Sequence, residues 1–183
     1  MDIVRNNKNV IFLYLGLLSQ NKGVWDLLKA AFELKKDKIN FHIIIGGNGD
    51  VEKLITTLNE LNLNDYITYV GWVNGYEKNK LISTSNVFIL PSYNEGVPIS
   101  ILEAMSYNLP IITTKVGGIP DVLKDNEAIF VDPGNINGLK EAMKFAVINI
   151  DYMNQLGMSL SLKIEDHYPE SIKHNLLSIY SHI

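Results

Sequence analysis

The sequence contains no cysteine and a single arginine, Arg5, and its formal net charge is −4. Without cysteine the chain can form no disulfide, use no thiol in catalysis and offer no thiolate to a metal. Its acidic balance provides no basic stripe of the kind that neutralises nucleic-acid phosphates. We therefore expect no nucleic-acid partner. A reducing compartment fits the lack of cysteine but is not required by it.

Several motifs of catalysis and binding are missing as well. The chain has no Asp-x-Asp pair for a divalent ion that bridges phosphates, no Gly-Lys-Ser/Thr of an ATPase phosphate loop, and no Gly-x-Ser-x-Gly of a hydrolase. Gly47-Asn48-Gly49 lacks the third glycine of the dinucleotide fingerprint and follows the second predicted strand rather than the first. The sequence thus predicts no metal site and disfavours a dinucleotide oxidoreductase.

Long hydrophobic runs are scarce. Val10–Leu18 is apolar apart from Gly16, but it is too short to span a bilayer. The polar residues 19–22 that follow it offer no small-residue cleavage site, so a buried strand explains the run better than a secretory signal. With 183 residues, 46% hydrophobic and 20% charged, the composition is that of an ordinary single globular domain.

Strand-like and helix-like patterns alternate along the chain. The predicted strands are Asn9–Leu15, Phe41–Ile45, Ile67–Val70, Val87–Leu90, Pro110–Thr113 and Ala128–Val131. The predicted helices are Val24–Leu34, Val51–Leu61, Tyr76–Thr84, Ile99–Tyr107, Ile119–Leu123, Ile136–Ile148 and a mostly helical tail from Asp151, with Pro169 in the first turn of a last helix. This alternation predicts an α/β fold: a doubly wound, Rossmann-like parallel sheet in a single domain with a C-terminal helical tail.

The strand order 3-2-1-4-5-6 would place a ligand crevice between the first and fourth strands. The loop after the first strand (Gly16–Gly23) and the loop after the fourth (Pro91–Glu103) would then face each other. In the first loop, Lys22 lies at a helix start, where its charge opposes the helix dipole unless an anion is present. A solvated lysine in a turn is the simpler alternative for a lone Lys-Gly pair.

The second loop carries two glutamates, Glu95 and Glu103. With ten glutamates in 183 residues, a pair eight positions apart arises by chance about half the time, so its context must carry the argument. Gly96 would permit backbone conformations or approaches that a side chain blocks, and the amides of Ile99–Ile101 would begin a helix without partners. Glu103, one turn in, could accept bonds from two vicinal hydroxyls such as those of ribose. Helix-end electrostatics is the alternative for either glutamate alone.

Other noticeable residues have plainer interpretations. Gly117-Gly118 after the fifth strand predicts either a second tight approach to the crevice or a simple strand-to-helix turn. His42 is expected to be a packed or edge histidine on a strand. Trp25 and Trp72 are expected to be core or rim aromatics. The remaining histidines have spacings unlike a metal site and are expected on a polar helix face: His167, His174 and His182.

Taken together, these segments resemble the C-terminal, donor-binding domain of family 4 retaining glycosyltransferases of the GT-B fold. The resemblance covers nearly the whole chain, and the shared order of five segments makes it specific. These segments are Phe12–Gly16 with Lys22-Gly23, Ile45–Gly49, Val70–Val73, Pro91–Met105 and Gly117–Asp121.

The resemblance implies a role for each matching residue. Glu95, facing the donor sugar, and Lys22, on the diphosphate, would be the catalytic residues, and Glu103 would hold the ribose hydroxyls. Val73, and less closely Lys78, match the edge of the base pocket. The remaining donor-binding positions are Gly16 in the first loop, Gly96, Val97 and Pro98 at the hexose, and Ile99, Ser100 and Ile101 at the diphosphate. The resemblance implies no metal and no cofactor.

Two departures from the family pattern stand out. Leu17 occupies a position that often holds arginine, so one charge-assisted phosphate contact, worth about 1.5–3 kcal/mol, is missing or supplied from elsewhere. The acceptor-binding N-terminal domain of such enzymes is also absent. Residues 1–183 would then be the donor domain alone, with Met1–Asn9 resembling a cut in the interdomain linker. We expect no turnover from this chain by itself.

The resemblance therefore implies the donor-binding half of a retaining, metal-independent glycosyltransferase. It would move a hexose from a UDP- or GDP-sugar to a glycan or lipid-linked acceptor, as in capsular polysaccharide biosynthesis. A cytoplasmic location is expected, with contact to the inner face of the membrane only through the absent domain. A nucleotide-sugar 2-epimerase of the same fold and a non-catalytic nucleotide-sugar-binding module remain as alternatives.

Overall fold

The structure is a computed structural model that describes residues 9–167. Its centre is one sheet of six parallel strands in the order β3-β2-β1-β4-β5-β6, which confirms the predicted doubly wound topology. The strands are β1 Val10–Leu15, β2 Phe41–Gly46, β3 Ile67–Gly71, β4 Val87–Leu90, β5 Ile111–Thr114 and β6 Ile129–Val131. The expectations for Pro169, His174 and His182 lie outside the described residues.

Seven helices cover the described part of the sheet. They are α1 Val24–Lys36, α2 Val51–Glu60, α3 Gly75–Thr84, α4 Ile99–Ser106, α5 Ile119–Val122, α6 Ile136–Ile148 and α7 Ile150–His167, and a short 3-10 turn at Gln20–Lys22 precedes α1. The helices predicted within the described residues are all present, with boundaries that agree to within two residues. Such shifts are normal where helix ends fray into turns.

The strands at the middle of the sheet are buried on both faces, which explains their continuous apolar runs. Every residue of β4 is buried, and so is every residue of β5. The two threonines of β5 satisfy their hydroxyls by donating to backbone carbonyls: Thr113 Oγ1 to Leu90 O at 2.8 Å and Thr114 Oγ1 to Ser92 O at 2.7 Å. A polar group without a partner here would cost about 1–3 kcal/mol, so these bonds permit its burial.

Helix packing brings α1 against α6 and α4 against α7. Lys140 Nζ on α6 donates to Asp37 Oδ2, just after α1, at 2.7 Å, and this bond lowers the pKa of the Asp37 carboxyl. On α7, a Cβ atom at Gly157 would overlap the carbonyl oxygen of Asn108, so glycine allows α7 to lie close to the end of α4. Packing against α7 therefore helps to fix α4, the helix that carries Glu103.

Three residues with predicted structural roles occupy the expected surroundings. His42 lies on β2, where its Nε2 atom is 2.8 Å from Thr68 Oγ1 on β3, and burial lowers the pKa of its imidazole. Trp25 is buried on α1, whereas Trp72 is exposed at the rim. Within residues 9–167, no helix is both long and apolar enough to cross a membrane.

Candidate functional site

The two predicted loops meet at the carboxyl ends of β1 and β4, as expected for neighbouring parallel strands. The backbone amide of Tyr93 donates to the carbonyl of Asn21 at 2.8 Å. One residue further along the first loop, Lys22 Nζ lies 2.6 Å from Glu95 Oε2. Residues 73 positions apart in sequence therefore form one ion pair across the crevice.

Glycine makes this approach possible. Gly23, with φ of 70°, has the left-handed backbone that L side chains rarely adopt, and its amide donates to Gln20 O at 3.0 Å. A Cβ atom there would overlap the carbonyl oxygen of Pro91 at the end of β4. Gly23 and Lys22 therefore have distinct structural roles: the glycine lets the two loops approach each other, and the lysine forms an ion pair between them.

Glu95 is held by two donors. Its side chain is 4% exposed. Its Oε1 atom accepts a hydrogen bond from Ser92 Oγ at 2.6 Å, and its Oε2 atom accepts the bond from Lys22. Thr114 Oγ1 donates to the backbone carbonyl of Ser92, so β5 fixes the donor in place. The side chain of Lys22 is 29% exposed, so it is less buried than the carboxylate it pairs with.

The Gly117-Gly118 turn packs directly on the backbone of the Glu95 loop. A Cβ atom on Gly117, whose φ is 55°, would overlap the carbonyl oxygen of Glu95. The amide of Gly118 donates to the carbonyl of Gly96 at 3.0 Å. Of the two interpretations left open by the sequence, the tight approach to the crevice is confirmed.

Two tyrosines that were not predicted from the sequence as site residues also support this region through hydrogen bonds. Tyr14, buried on β1, donates its hydroxyl to the carbonyl of Leu17 at 2.8 Å. Burial, reinforced by the charge of Glu95, raises its pKa, so the phenol stays neutral and remains a donor. Tyr93 donates to Asp26 Oδ2 on α1 at 2.6 Å, and this bond raises its pKa.

A second ion pair joins α3 to α4. Lys78 Nζ lies 2.6 Å from Glu103 Oε1, and both side chains are largely buried. The sequence pattern assigned these residues to the base edge and the ribose. The structure brings them into direct contact, a pairing that no local pattern indicates because 25 residues separate them.

The N-terminus of α4 opens between the two ion pairs. Its N-cap residue is Pro98, which provides no side-chain cap, and the first turn contains no acidic residue. The expectation of three free amides is wrong for Ile101, because its amide donates to Pro98 O at 3.0 Å in a tight first turn. The amides of Ile99 and Ser100 precede the first bond of the helix and carry the positive end of its dipole.

Gly96 differs from the other loop glycines. Its φ lies outside the left-handed region, and a Cβ atom there would meet no described atom within 4 Å. The conformational reason expected for glycine is therefore wrong, while the expected close approach to this position stays a prediction. The adjacent Val97 is exposed, whereas the side chain of Ile101 is fully buried in the core. A Cβ atom at Gly96 would meet open space among the described residues.

A cavity of about 320 Å³ lies at the carboxyl ends of β1, β2 and β3. Six of the predicted site residues line it: Gly16, Val73, Lys78, Ile99, Ser100 and Glu103. Lys22, Glu95, Gly96, Val97, Pro98 and Ile101 are not among its lining residues. Leu17, Asn48, Trp72 and Asn74 also line it and were not predicted as site residues.

A larger cavity of about 780 Å³ lies between β6 and α6, and none of the predicted site residues lines it. It is away from the topological switch point, and two of its lysines lie near carboxylates that do not line it. Lys115 pairs with Asp125 at 2.8 Å, and Lys144 lies 3.6 Å from Asp37. We therefore place the candidate site at the smaller cavity. In residues 9–167 no three His, Asp or Glu side chains cluster so as to hold a metal ion.

The fold and this geometry define a class: a Rossmann-like α/β domain with a cavity at the carboxyl ends of its parallel strands. The chain belongs to the glycosyl transferases group 1 family, whose model matches residues 2–158. This match confirms the family resemblance inferred from the five sequence segments.

Individual relatives agree with the family assignment. An uncharacterized glycosyltransferase of Methanocaldococcus jannaschii is 30% identical over 134 residues, which is 72% of this chain and 34% of the relative. The putative colanic acid biosynthesis glycosyltransferase WcaL of Escherichia coli K12 is 29% identical over 125 residues, 64% of this chain and 31% of its own length. The chain thus spans about a third of the length of these curated relatives.

A solved structure supports the fold. Anabaena HepE in complex with UDP-glucose superimposes with a TM-score of 0.80, covering 96% of this chain and 50% of that one at 17% identity.

We predict that Ser92→Ala lowers the free energy of unfolding by about 1–3 kcal/mol, because Glu95 Oε1 loses its donor in a nearly inaccessible place. Ser83→Ala is the matched control, since that hydroxyl donates to Lys80 O on an exposed surface and its loss should cost less than about 0.5 kcal/mol. Urea unfolding measures both. Equal, small losses would show that Ser92 does not support the carboxylate.

Proposed function

We propose that this chain is the donor-binding half of a retaining, metal-independent glycosyltransferase that transfers a hexose from a UDP- or GDP-sugar. The observation that carries the proposal is the Lys22–Glu95 pair across the β1–β4 switch point, beside the uncapped start of α4. Because the chain belongs to the glycosyl transferases group 1 family, we interpret the cation, the helix-end amides and the carboxylate as parts of one donor site.

The diphosphate is assigned to Lys22 and the start of α4. The Lys22 side chain is partly exposed, and Ile99 and Ser100, at the positive end of the α4 dipole, line the cavity. A helix N-terminus is a common site for a phosphate, and a cation adds to the attraction for its negative charge. As the sugar–phosphate bond breaks, negative charge develops on the leaving diphosphate. Preorganised donors then stabilise the transition state more than the ground state, so this is the domain's main catalytic contribution.

The hexose is assigned to Glu95 and the backbone at Gly96–Pro98. When Lys22 turns toward the diphosphate, Glu95 Oε2 loses that donor and can accept a bond from a sugar hydroxyl instead. Ser92 keeps Oε1 in place through this exchange. The open space at Gly96 supports the same assignment, because the protein itself does not need a glycine there.

The ribose is assigned to Glu103 and the base to the edge formed by Val73, with Lys78 beside them. Glu103 lines the cavity one turn into α4. Its pairing with Lys78 holds one oxygen and orients the carboxylate toward the cavity, where two ribose hydroxyls could donate to it. Leu17, exposed at the cavity wall, adds no charge, so Lys22 and the dipole of α4 carry the phosphate contacts.

Acceptor recognition is assigned to a domain outside this chain. The curated relatives are about three times longer than the matched region, and WcaL is named for colanic acid biosynthesis. A glycan or lipid-linked acceptor, a cytoplasmic location at the membrane surface and a role in polysaccharide assembly are therefore proposed for the whole protein rather than for this domain.

A thermal-shift panel of UDP, GDP, ADP and their sugars tests the donor site. We expect one nucleotide and its sugar to raise the melting temperature, with about 2.7 kcal/mol of stabilisation at a ligand concentration 100 times Kd. No shift with any of these ligands would contradict the donor site.

Glu103→Ala tests the ribose assignment. We expect Kd for the stabilising nucleotide, measured by calorimetry, to rise about 10-fold or more, because a charge-assisted bond is lost. Glu60→Ala, an exposed glutamate at the end of α2, is the control and should leave Kd unchanged. A Glu103→Ala protein that binds as tightly as the parent would refute the role.

Gly96→Ala tests the sugar end. We expect the free energy of unfolding to change by less than about 0.5 kcal/mol, because nothing described lies near the added methyl group. Kd for the nucleotide sugar should rise severalfold, while Kd for the free nucleotide stays the same. An equal effect on both ligands, or none, would place the hexose elsewhere.

A further inference from the structure

The two tryptophans of this chain have opposite surroundings. Trp25 is 6% exposed, and Lys53 Nζ lies 4.4 Å from the centroid of its ring. Trp72 is 63% exposed. Among residues 9–167, its indole stacks on no other ring and lies under no cation. A large aromatic side chain that stays exposed to water is typical of a binding site and not of a hydrophobic core.

Trp72 is held where the cavity meets the end of β3. It follows Gly71, whose φ is 76° and whose carbonyl accepts a bond from the amide of Gly47 at 2.7 Å. Because this bond ties the end of β3 to the loop after β2, the backbone that carries the indole is fixed. The side chain lines the same cavity as Val73 and Glu103.

The order of the strands determines which end of the crevice each of these residues occupies. Lys22 and the start of α4 lie at the β1–β4 side, Glu103 lies inside the cavity, and Trp72 lies at the β3 side. If the diphosphate and ribose occupy the first two places, the third receives the planar base. We propose that the indole of Trp72 stacks on the nucleobase of the bound nucleoside diphosphate, an inference that rests on the proposed function.

The polar residues around Trp72 suit the edge of a base. Asn48 and Asn74 line the cavity with amide groups that can both donate and accept. Asn74 is the N-cap residue of α3, yet its side chain does not cap that helix. An aromatic face with amides at its margin is a common way to hold a planar heterocycle.

Tyr76 makes it possible to distinguish base stacking on Trp72 from the alternative that these exposed aromatics are a docking surface for another protein. It lies four residues further along the chain, in the first turn of α3, and is 81% exposed, but it is not among the residues that line the cavity. A protein partner covering this rim would contact both aromatics. A stacked base would contact Trp72 and leave Tyr76 in water.

Calorimetry on the full chain tests the proposal with Trp72→Ala, Trp72→Phe and the control Tyr76→Ala. For UDP or GDP, whichever binds the parent, Trp72→Ala should raise Kd about 5- to 100-fold, because stacking on an aromatic side chain contributes that much per base. Trp72→Phe should keep most of the affinity, and Tyr76→Ala should keep all of it. Pyrophosphate, which has no base, should bind the parent and Trp72→Ala equally.

Tryptophan fluorescence gives an independent readout. Saturating nucleotide should quench the red-shifted emission of exposed Trp72 in the parent and in Tyr76→Ala. In Trp72→Phe the remaining emission comes from buried Trp25, so the nucleotide should leave it unchanged. This comparison also works if Trp72→Ala folds poorly.

The outcomes are distinguishable. Nucleotide binding with unchanged Trp72 emission and an unchanged Kd in Trp72→Ala would overturn the stacking proposal alone. Equal losses of nucleotide and pyrophosphate affinity would also overturn it, because the effect would then not involve the base. No binding of any nucleotide by the parent would overturn the proposed function and this inference with it.

Discussion

The bond between Lys22 and Glu95 is the interaction on which the rest of the site depends. A carboxylate that is 4% exposed must be paired and hydrogen-bonded, or its desolvation costs several kcal/mol. Lys22 and Ser92 satisfy it, and Gly23 and Gly117 allow the backbones around it to approach closely. The loops after β1, β4 and β5 are thereby assembled around a single carboxylate.

Both ion pairs of the crevice join residues that the proposed function assigns to different parts of one ligand. Lys22 pairs with Glu95, and Lys78 pairs with Glu103. Buried pairs of this kind contribute little net stability, since desolvation offsets most of the attraction. For the Lys22–Glu95 pair, the value under our proposal is that the ligand can replace it: a diphosphate takes the ammonium of Lys22, and sugar hydroxyls donate to the carboxylate of Glu95. Both groups stay hydrogen-bonded in either state.

Much of the fold could be predicted from sequence because alternating strands and helices restrict the topology to a few arrangements. The approach of the loops that carry Lys22 and Glu95 followed from that topology, since the ends of neighbouring parallel strands share one edge. The partners of individual atoms could not be predicted in this way. Ser92 beneath Glu95, Lys78 on Glu103 and the amide of Ile101 on Pro98 depend on side-chain rotamers and on how tightly one turn closes. For Gly96, the left-handed conformation that glycine favours was expected, and its φ does not support it.

The most direct test of the central claim, that the crevice between β1 and β4 holds a nucleotide sugar, is a crystal structure of this chain with the UDP- or GDP-hexose that stabilises it most. We predict that the diphosphate lies at Lys22 Nζ and the start of α4, that the hexose faces Glu95, and that the ribose hydroxyls bind Glu103. Lys22 Nζ should then have left Glu95 Oε2, from which it lies 2.6 Å in the free protein. A nucleotide found in the cavity between β6 and α6, with the Lys22–Glu95 bond intact, would contradict the account.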